Sequence, residues 1–188
     1  MSRASERILR HLARAEEIFS AAEVEAALDR MAAQITPSLR GSDPLALVVM
    51  KGGLIPAGML LPRLDFPLRL DYIHATRYRD RTFGADLHWK KAPEESLQGR
   101  TVLVIDDILD EGHTLEAIVS YCREQGARRV FSAVLVEKRH DRGCGFQADF
   151  VGLEAPDRYL FGCGMDYLGW GRNLASIRAV LEEDLKDE

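Results

Sequence analysis

Apolar positions follow three rhythms along this chain, and each predicts a different element. Ile8, Leu12, Ala15 and Phe19 recur at helical spacing, which predicts a helix over residues 5–19. Ser20 with Glu23 fits a capping box, and Val24, Ala27, Leu28, Met31 and Ile35 then form the stripe of a second helix. Pro37 and the segment 41–44 end it. Residues 45–50, 102–105 and 130–136 are unbroken apolar runs, the pattern of strands buried on both faces of a parallel sheet. Residues 54–61 predict a short helix with Pro56 near its first turn, and 115–122 an amphipathic helix stopped by Gly126. Residues 69–75 alternate weakly, as a further strand would. Residues 150–153 and 159–161 are shorter strand candidates, and 176–185 predict a closing helix. The segment 76–99 is highly charged with little periodicity, the pattern of a lid or a solvated β-excursion.

Strand–helix alternation predicts an α/β fold with a parallel-sheet core and flanking helices. Ligands of such sheets sit beyond the carboxyl ends of the strands. Three loops follow apolar strands here: Lys51-Gly52-Gly53, residues 106–114, and the stretch from Lys138 onward. All three are expected on one sheet edge, where they share a site.

The central loop carries the densest chemistry. The strand 102–105 is expected to stop at two adjacent carboxylates, Asp106 and Asp107. A loop containing Asp110, Glu111, Gly112 and His113 follows, and Thr114 opens the next helix. Backbone amides, a flexible Gly and a hydroxyl at a helix start suit a phosphate. The paired carboxylates suit two cis hydroxyls of a ribose, or hydrated Mg2+. Mutual repulsion among the carboxylates also favours a nearby divalent cation. Other motifs fail. Residues 143–148 fit G-x-G-x-x-A but have no helix behind them, so a dinucleotide site is not indicated. Neither a P-loop, nor a histidine metal spacing, nor a nucleophile elbow is present.

Composition narrows the class. The chain has 188 residues, 46% hydrophobic and 29% charged, so one domain spanning 1–188 is expected. Its three cysteines show no C-x-x-C spacing, and the N-terminus lacks a signal peptide's apolar region. No run reaches a membrane span. These features point to a cytoplasmic protein with no membrane partner. A net charge of −5 argues against general nucleic-acid binding.

The pattern strand–DD–x–x–D–x–G–x–T–helix resembles the phosphoribosyl-pyrophosphate (PRPP) motif of type I phosphoribosyltransferases. Four further segments, in order between about residues 20 and 173, resemble the hypoxanthine-guanine phosphoribosyltransferases. The first, Met50-Lys51-Gly52-Gly53, resembles the pyrophosphate loop of that family, often built on a non-proline cis peptide. Residues 71–89 resemble the strand and flexible hood (about 76–99) that close over the site. There Tyr78 fits the family's Ser-Tyr pair and Arg77 departs from it. The third segment, residues 136–139, aligns Lys138 with the residue that contacts the purine 6-oxo group. The fourth, residues 149–174, resembles the purine-binding part. This resemblance implies that Tyr159 stacks on the base and that the Leu160 backbone meets the base edge. It also implies Asp166 as a metal ligand beside Asp106 and Asp107, and Arg172 as a pyrophosphate contact.

The resemblance therefore implies transfer of a phosphoribosyl group from PRPP to hypoxanthine or guanine, with Mg2+ and release of pyrophosphate, in purine salvage. Asp110 would serve near purine N7, and family analogy implies a homodimer or tetramer. The alternatives are a xanthine-preferring transferase, a PRPP- or nucleotide-sensing regulator with weak or no turnover, and a catalytically silent paralogue. Glu111, before Gly112, is the least ordinary loop position, since a carboxylate facing a phosphate would repel it.

Overall fold

The computed structural model describes residues 3–76 and 88–186. In chain order its elements are α1 (Arg3–Arg14), β1 (Glu16–Phe19), α2 (Ala21–Leu39), β2 (Leu45–Val49), α3 (Leu54–Leu60), β3 (Arg69–Thr76), β4 (His88–Lys91) and β5 (Thr101–Leu109). They continue with α4 (His113–Glu124), β6 (Arg129–Arg139), β7 (Phe150–Pro156), β8 (Leu160–Phe161), β9 (Ile177–Ala179) and α5 (Glu182–Leu185).

A six-stranded sheet runs β4-β3-β2-β5-β6-β7. All its pairings are parallel except that of β4, which lies antiparallel on the edge. Alternate residues of the central strands serve opposite faces. Ala46 and Val48 of β2 and Leu103 and Ile105 of β5 join one core with Val24, Leu28, Met31 and Ile35 of α2. Leu45, Leu47, Val102 and Val104 join the other with Leu115, Ile118, Val119 and Cys122 of α4. Burying such aliphatic side chains stabilises by about 1.5–3 kcal/mol each, which explains why these strands are apolar on both faces.

The chain leaves β2 toward β3 on one side and leaves β5 toward β6 on the other. The strand order thus reverses between β2 and β5, and this is where α/β sheets open a ligand crevice.

A second, three-stranded antiparallel sheet, β1-β9-β8, sits apart in the sequence from that core. It corrects two expectations. Residues 16–19 are a strand and not the end of the first helix, because Glu16 and Glu17 pair with Ala179 and Arg178. Residues 177–179 are a strand too, burying Ile177 and Ala179 alternately, and only residues 182–185 are helical. In both places pairing between distant segments overrides local helical spacing.

Two boundaries also shift. The capping box at Ser20 and Glu23 is formed, but α2 continues past Pro37 to Leu39. Near the helix end Pro37 removes just its own bond to residue 33. Strand β5 does not stop at the carboxylates; it pairs with β6 as far as Leu109–Glu137, so Asp106 and Asp107 lie within the sheet.

Residues 77–87 of the hood lie outside the described residues, Arg77 and Tyr78 included. Its returning end is anchored. The buried Asp71 carboxylate accepts hydrogen bonds from Glu94 N–H (2.7 Å) and Glu95 N–H (2.9 Å).

Candidate active site

Two glycine-rich loops meet at the reversal point. The Met50–Lys51 peptide is cis, and Gly52 and Gly53 follow it. A Cβ on Gly52 would fall well inside 3.0 Å of the Asp107 carboxylate, and one on Gly53 would strike the carbonyls of Ile105 and Val49. Glycine at both positions therefore lets the β2 loop lie directly on β5. Gly164, from the segment after β8, closes the stack from the far side. Its φ is +104°, and a Cβ there would strike the carbonyl of Gly52.

The second loop follows β5. Gly112 takes φ +86° and caps α4, with no side chain closing the helix start. Thr114 thus lies inside the first turn and is not the N-cap itself. The first amides of α4 have no intrahelical carbonyl to bond, so they are available to an anion. Residues 106–115 enclose a cavity of about 320 Å³.

Asp106 and Asp107 are buried side by side. Burial, then the neighbouring Asp107, pushes the Asp106 carboxyl well above the usual range. Burial also raises Asp107, opposed by a hydrogen bond from Asp106 and by the Arg172 guanidinium. Such an oxygen-only pair, held against repulsion, suits hydroxyl donors or a hard divalent cation. Arg172 itself pairs with Asp166 and donates to the Gly164 carbonyl (2.5 Å). Asp166 also accepts from the Gly169 N–H (2.6 Å).

A neighbouring cavity of about 280 Å³ is lined by Asp107, Ile108, Asp110, Lys138, Tyr159, Leu160, Met165 and Asp166. Half-buried Tyr159 meets the buried Tyr167 edge-on, with centroids 5.4 Å apart. Asp110 stands between the two cavities. Lys138 Nζ donates to its Oδ2 (2.8 Å), and His140 Nε2 lies 2.7 Å from its Oδ1. Burial would raise the Asp110 carboxyl, but the hydrogen bonds of Lys138 and His140 and the charge of Lys138 outweigh it and hold it below the usual range. The Arg142 N–H points at His140 Nδ1 (3.1 Å), so Nδ1 accepts and Nε2–H donates to Asp110.

The β2 and β5 loops, the end of β6 and the segments flanking β8 gather Gly52, Asp106, Asp107, Asp110, Glu111, Gly112, His113, Thr114, Lys138, Tyr159, Leu160, Asp166 and Arg172 about these cavities; Lys51 precedes Gly52 in the β2 loop, and Tyr78 lies outside the described residues. What the sequence reading missed was His140, Arg142, Ile108 and Met165. His140 was legible in principle, since it follows Lys138 by two residues at a strand end and so points the same way.

A family model for the phosphoribosyl transferase domain matches residues 14–167. The hypoxanthine-guanine phosphoribosyltransferase of Bacillus subtilis is 32% identical over 85% of this chain and 89% of its own length. The chain belongs to this family. It is also 30% identical, over 91% of its length, to 26% of the bifunctional protein TilS/HprT of Listeria innocua. A hypoxanthine phosphoribosyltransferase structure from Staphylococcus aureus superimposes with a TM-score of 0.84, at 25% identity, over 89% of this chain and 92% of its own. Among the described residues of this phosphoribosyltransferase, no helix is long and apolar enough to cross a membrane.

Proposed function

We propose that this phosphoribosyltransferase moves the phosphoribosyl group of PRPP onto a 6-oxopurine, hypoxanthine or guanine, and releases pyrophosphate. The observation that carries this reading is the juxtaposition of an open helix-start anion loop, a buried Asp pair and a Lys138–Asp110 pair around adjoining cavities. Residues 111–114 receive the 5′-phosphate through their amides and the Thr114 hydroxyl. Asp106 and Asp107 hold the ribose hydroxyls. Lys51, the Gly52 amide and Arg172 face the diphosphate. Asp106, Asp107 and Asp166 offer the carboxylates for Mg2+, which when bound neutralises the leaving pyrophosphate.

As the C1–O bond breaks, the ribosyl carbon gains oxocarbenium character and the purine nitrogen attacks. The protein must hold the two in line and exclude water. Tyr159 stacks on the base, and Leu160 meets its edge through the backbone. Lys138 keeps one N–H on Asp110 and has others for the 6-oxo oxygen, which an adenine amino group would not accept. Asp110 takes the proton that leaves N7. The reading also takes the chain as one cytoplasmic unit, assembling with copies of itself.

A base panel tests it: pyrophosphate release from PRPP and Mg2+ is followed with hypoxanthine, guanine, xanthine and adenine. Turnover is expected with hypoxanthine and guanine. Preference for xanthine selects that alternative, and no turnover with any base removes the enzyme reading.

His140 gives a pH prediction. Asp110 acts as a carboxylate, and its pKa lies below the usual value, so the reactive form is lost only as pH falls through that depressed value. His140→Leu removes one donor and should move the acid limb of kcat/KM to higher pH. His140→Gln keeps an N–H and should leave the limb in place. An unmoved limb in His140→Leu would separate His140 from the proton step.

Glu111 is exposed, and its backbone carbonyl accepts from the Cys144 N–H (2.8 Å). Its charge is also felt by Arg142. We take this exposed carboxylate to point to solvent, so Glu111→Thr should change the KM for PRPP by less than about threefold, as surface charges contribute at most about 1 kcal/mol. A tenfold gain would mean that it opposes the phosphate.

A further inference from the structure

Among the described residues, two sets of three metal-ligating side chains bring their donor atoms within 4.8 Å of one another. In the first, Asp110, His140 and Asp157, every member is already engaged. Asp110 binds Lys138 and His140, and Asp157 is held by both Arg142 nitrogens. That set is a closed ionic network.

The second set is His113, Glu116 and Cys144. His113 and Glu116 stand three residues apart on the first turn of α4, and so share a face. Cys144 reaches them from the loop after β6, which is tied down by the Cys144 N–H bond to the Glu111 carbonyl (2.8 Å). In contrast to the first set, no hydrogen bond or ion pair engages these three side chains among the described residues. Three polar side chains from two segments thus converge with nothing between them to bind.

We propose that His113, Glu116 and Cys144 form a site for a thiophilic divalent cation, Zn2+, which clasps the helix-start loop to the loop after β6. The proposal is independent of the transfer reaction. One thiolate, one imidazole and one carboxylate are a zinc donor set, and three protein ligands leave a fourth position for water. Ligands about 2.0–2.3 Å from a shared tetrahedral ion stand roughly 3.3–3.8 Å apart. From within 4.8 Å the donors must close by at most about 1.5 Å, which side-chain torsions provide. The thiolate also separates this site from the oxygen-only Asp106–Asp107 pair, which prefers a hard cation such as Mg2+. The other two thiols do not compete. Burial pushes Cys122 up to about 12 and Cys163 up to about 11, and both are enclosed in the core.

The test uses the full chain with Mg2+ in excess. Co2+ titration should give a thiolate-to-cobalt charge-transfer band that saturates at one equivalent and is displaced by one equivalent of Zn2+. Cys144→Ser should abolish the band. Glu116→Gln should weaken Zn2+ binding, measured against a chromophoric chelator, by at least about tenfold, the loss that even outer-shell partners produce. Zn2+ should also slow alkylation of Cys144 by iodoacetamide in the unmodified protein, a readout that needs no variant. Absence of the thiolate band, its persistence in Cys144→Ser, or alkylation of Cys144 at an unchanged rate would each overturn the site.

Discussion

Asp110→Asn is expected to lower kcat by about 10²- to 10⁴-fold, the range for a lost general acid or base, while the KM for PRPP changes by no more than a few-fold. The asymmetry follows from what the side chain touches. Asp110 lines the cavity with Tyr159, Leu160 and Lys138, and its two oxygens are held by Lys138 and His140. Asp107 shares that cavity, but neither Lys138 nor His140 bonds to the buried Asp pair or to the glycines of the β2 loop. Asparagine keeps the shape and one acceptor oxygen, so the pocket should persist. What is lost is the charge that receives a proton and balances Lys138. Steady-state kinetics with hypoxanthine and PRPP as separately varied substrates check this. Turnover equal to that of the parent would remove Asp110 from the chemical step.

Gly164→Ala is expected to be the most damaging change outside the reacting groups. Its Cβ would strike the backbone carbonyl of Gly52 in a conformation, φ +104°, that L residues rarely adopt. Neither obstacle is a flexible side chain, so the segment after β8 or the β2 loop must move. Gly52 has no room to retreat, because it already lies against Asp107. Backbone strain of this kind costs about 1–3 kcal/mol. For a chain of this size that is roughly a 2–12 °C loss in Tm. The KM for PRPP should rise by tenfold or more, since the displaced loop carries Lys51. Gly58→Ala is the control. It lies in α3, a Cβ there meets nothing within 4 Å, and it should be neutral or gain up to about 1 kcal/mol. Thermal melts and PRPP kinetics on both variants check the pair. Equal behaviour would mean that the Gly164–Gly52–Asp107 stack does not control the site.

The core of this fold was legible because burial writes directly into composition. Residues 45–48 and 102–105 had to be apolar on both faces, since helices cover both sides of the sheet, and no tertiary knowledge was needed to see it. The loop from Asp106 to Thr114 was legible for a similar reason. A strand, acidic residues, a glycine and a helix start are local requirements of one chain segment. Lys51 and Lys138 could be placed on the same edge because parallel strands carry their following loops to one side.

Other features depend on residues far apart in sequence, and periodicity is blind to them. Residues 16–19 carry a helical stripe, yet they are a strand because residues 177–179 offer a partner. Asp106 and Asp107 resemble the end of a strand, yet they lie within one because β6 continues to pair beside them. Tertiary structure alone decided that Gly164 presses on Gly52 and Gly52 on Asp107, since three backbone segments must approach before the lack of a side chain matters. The same holds for Asp110. The sequence determined a carboxylate in a loop, but its lowered pKa arises from Lys138 and His140, which reach it only when β5 and β6 lie side by side.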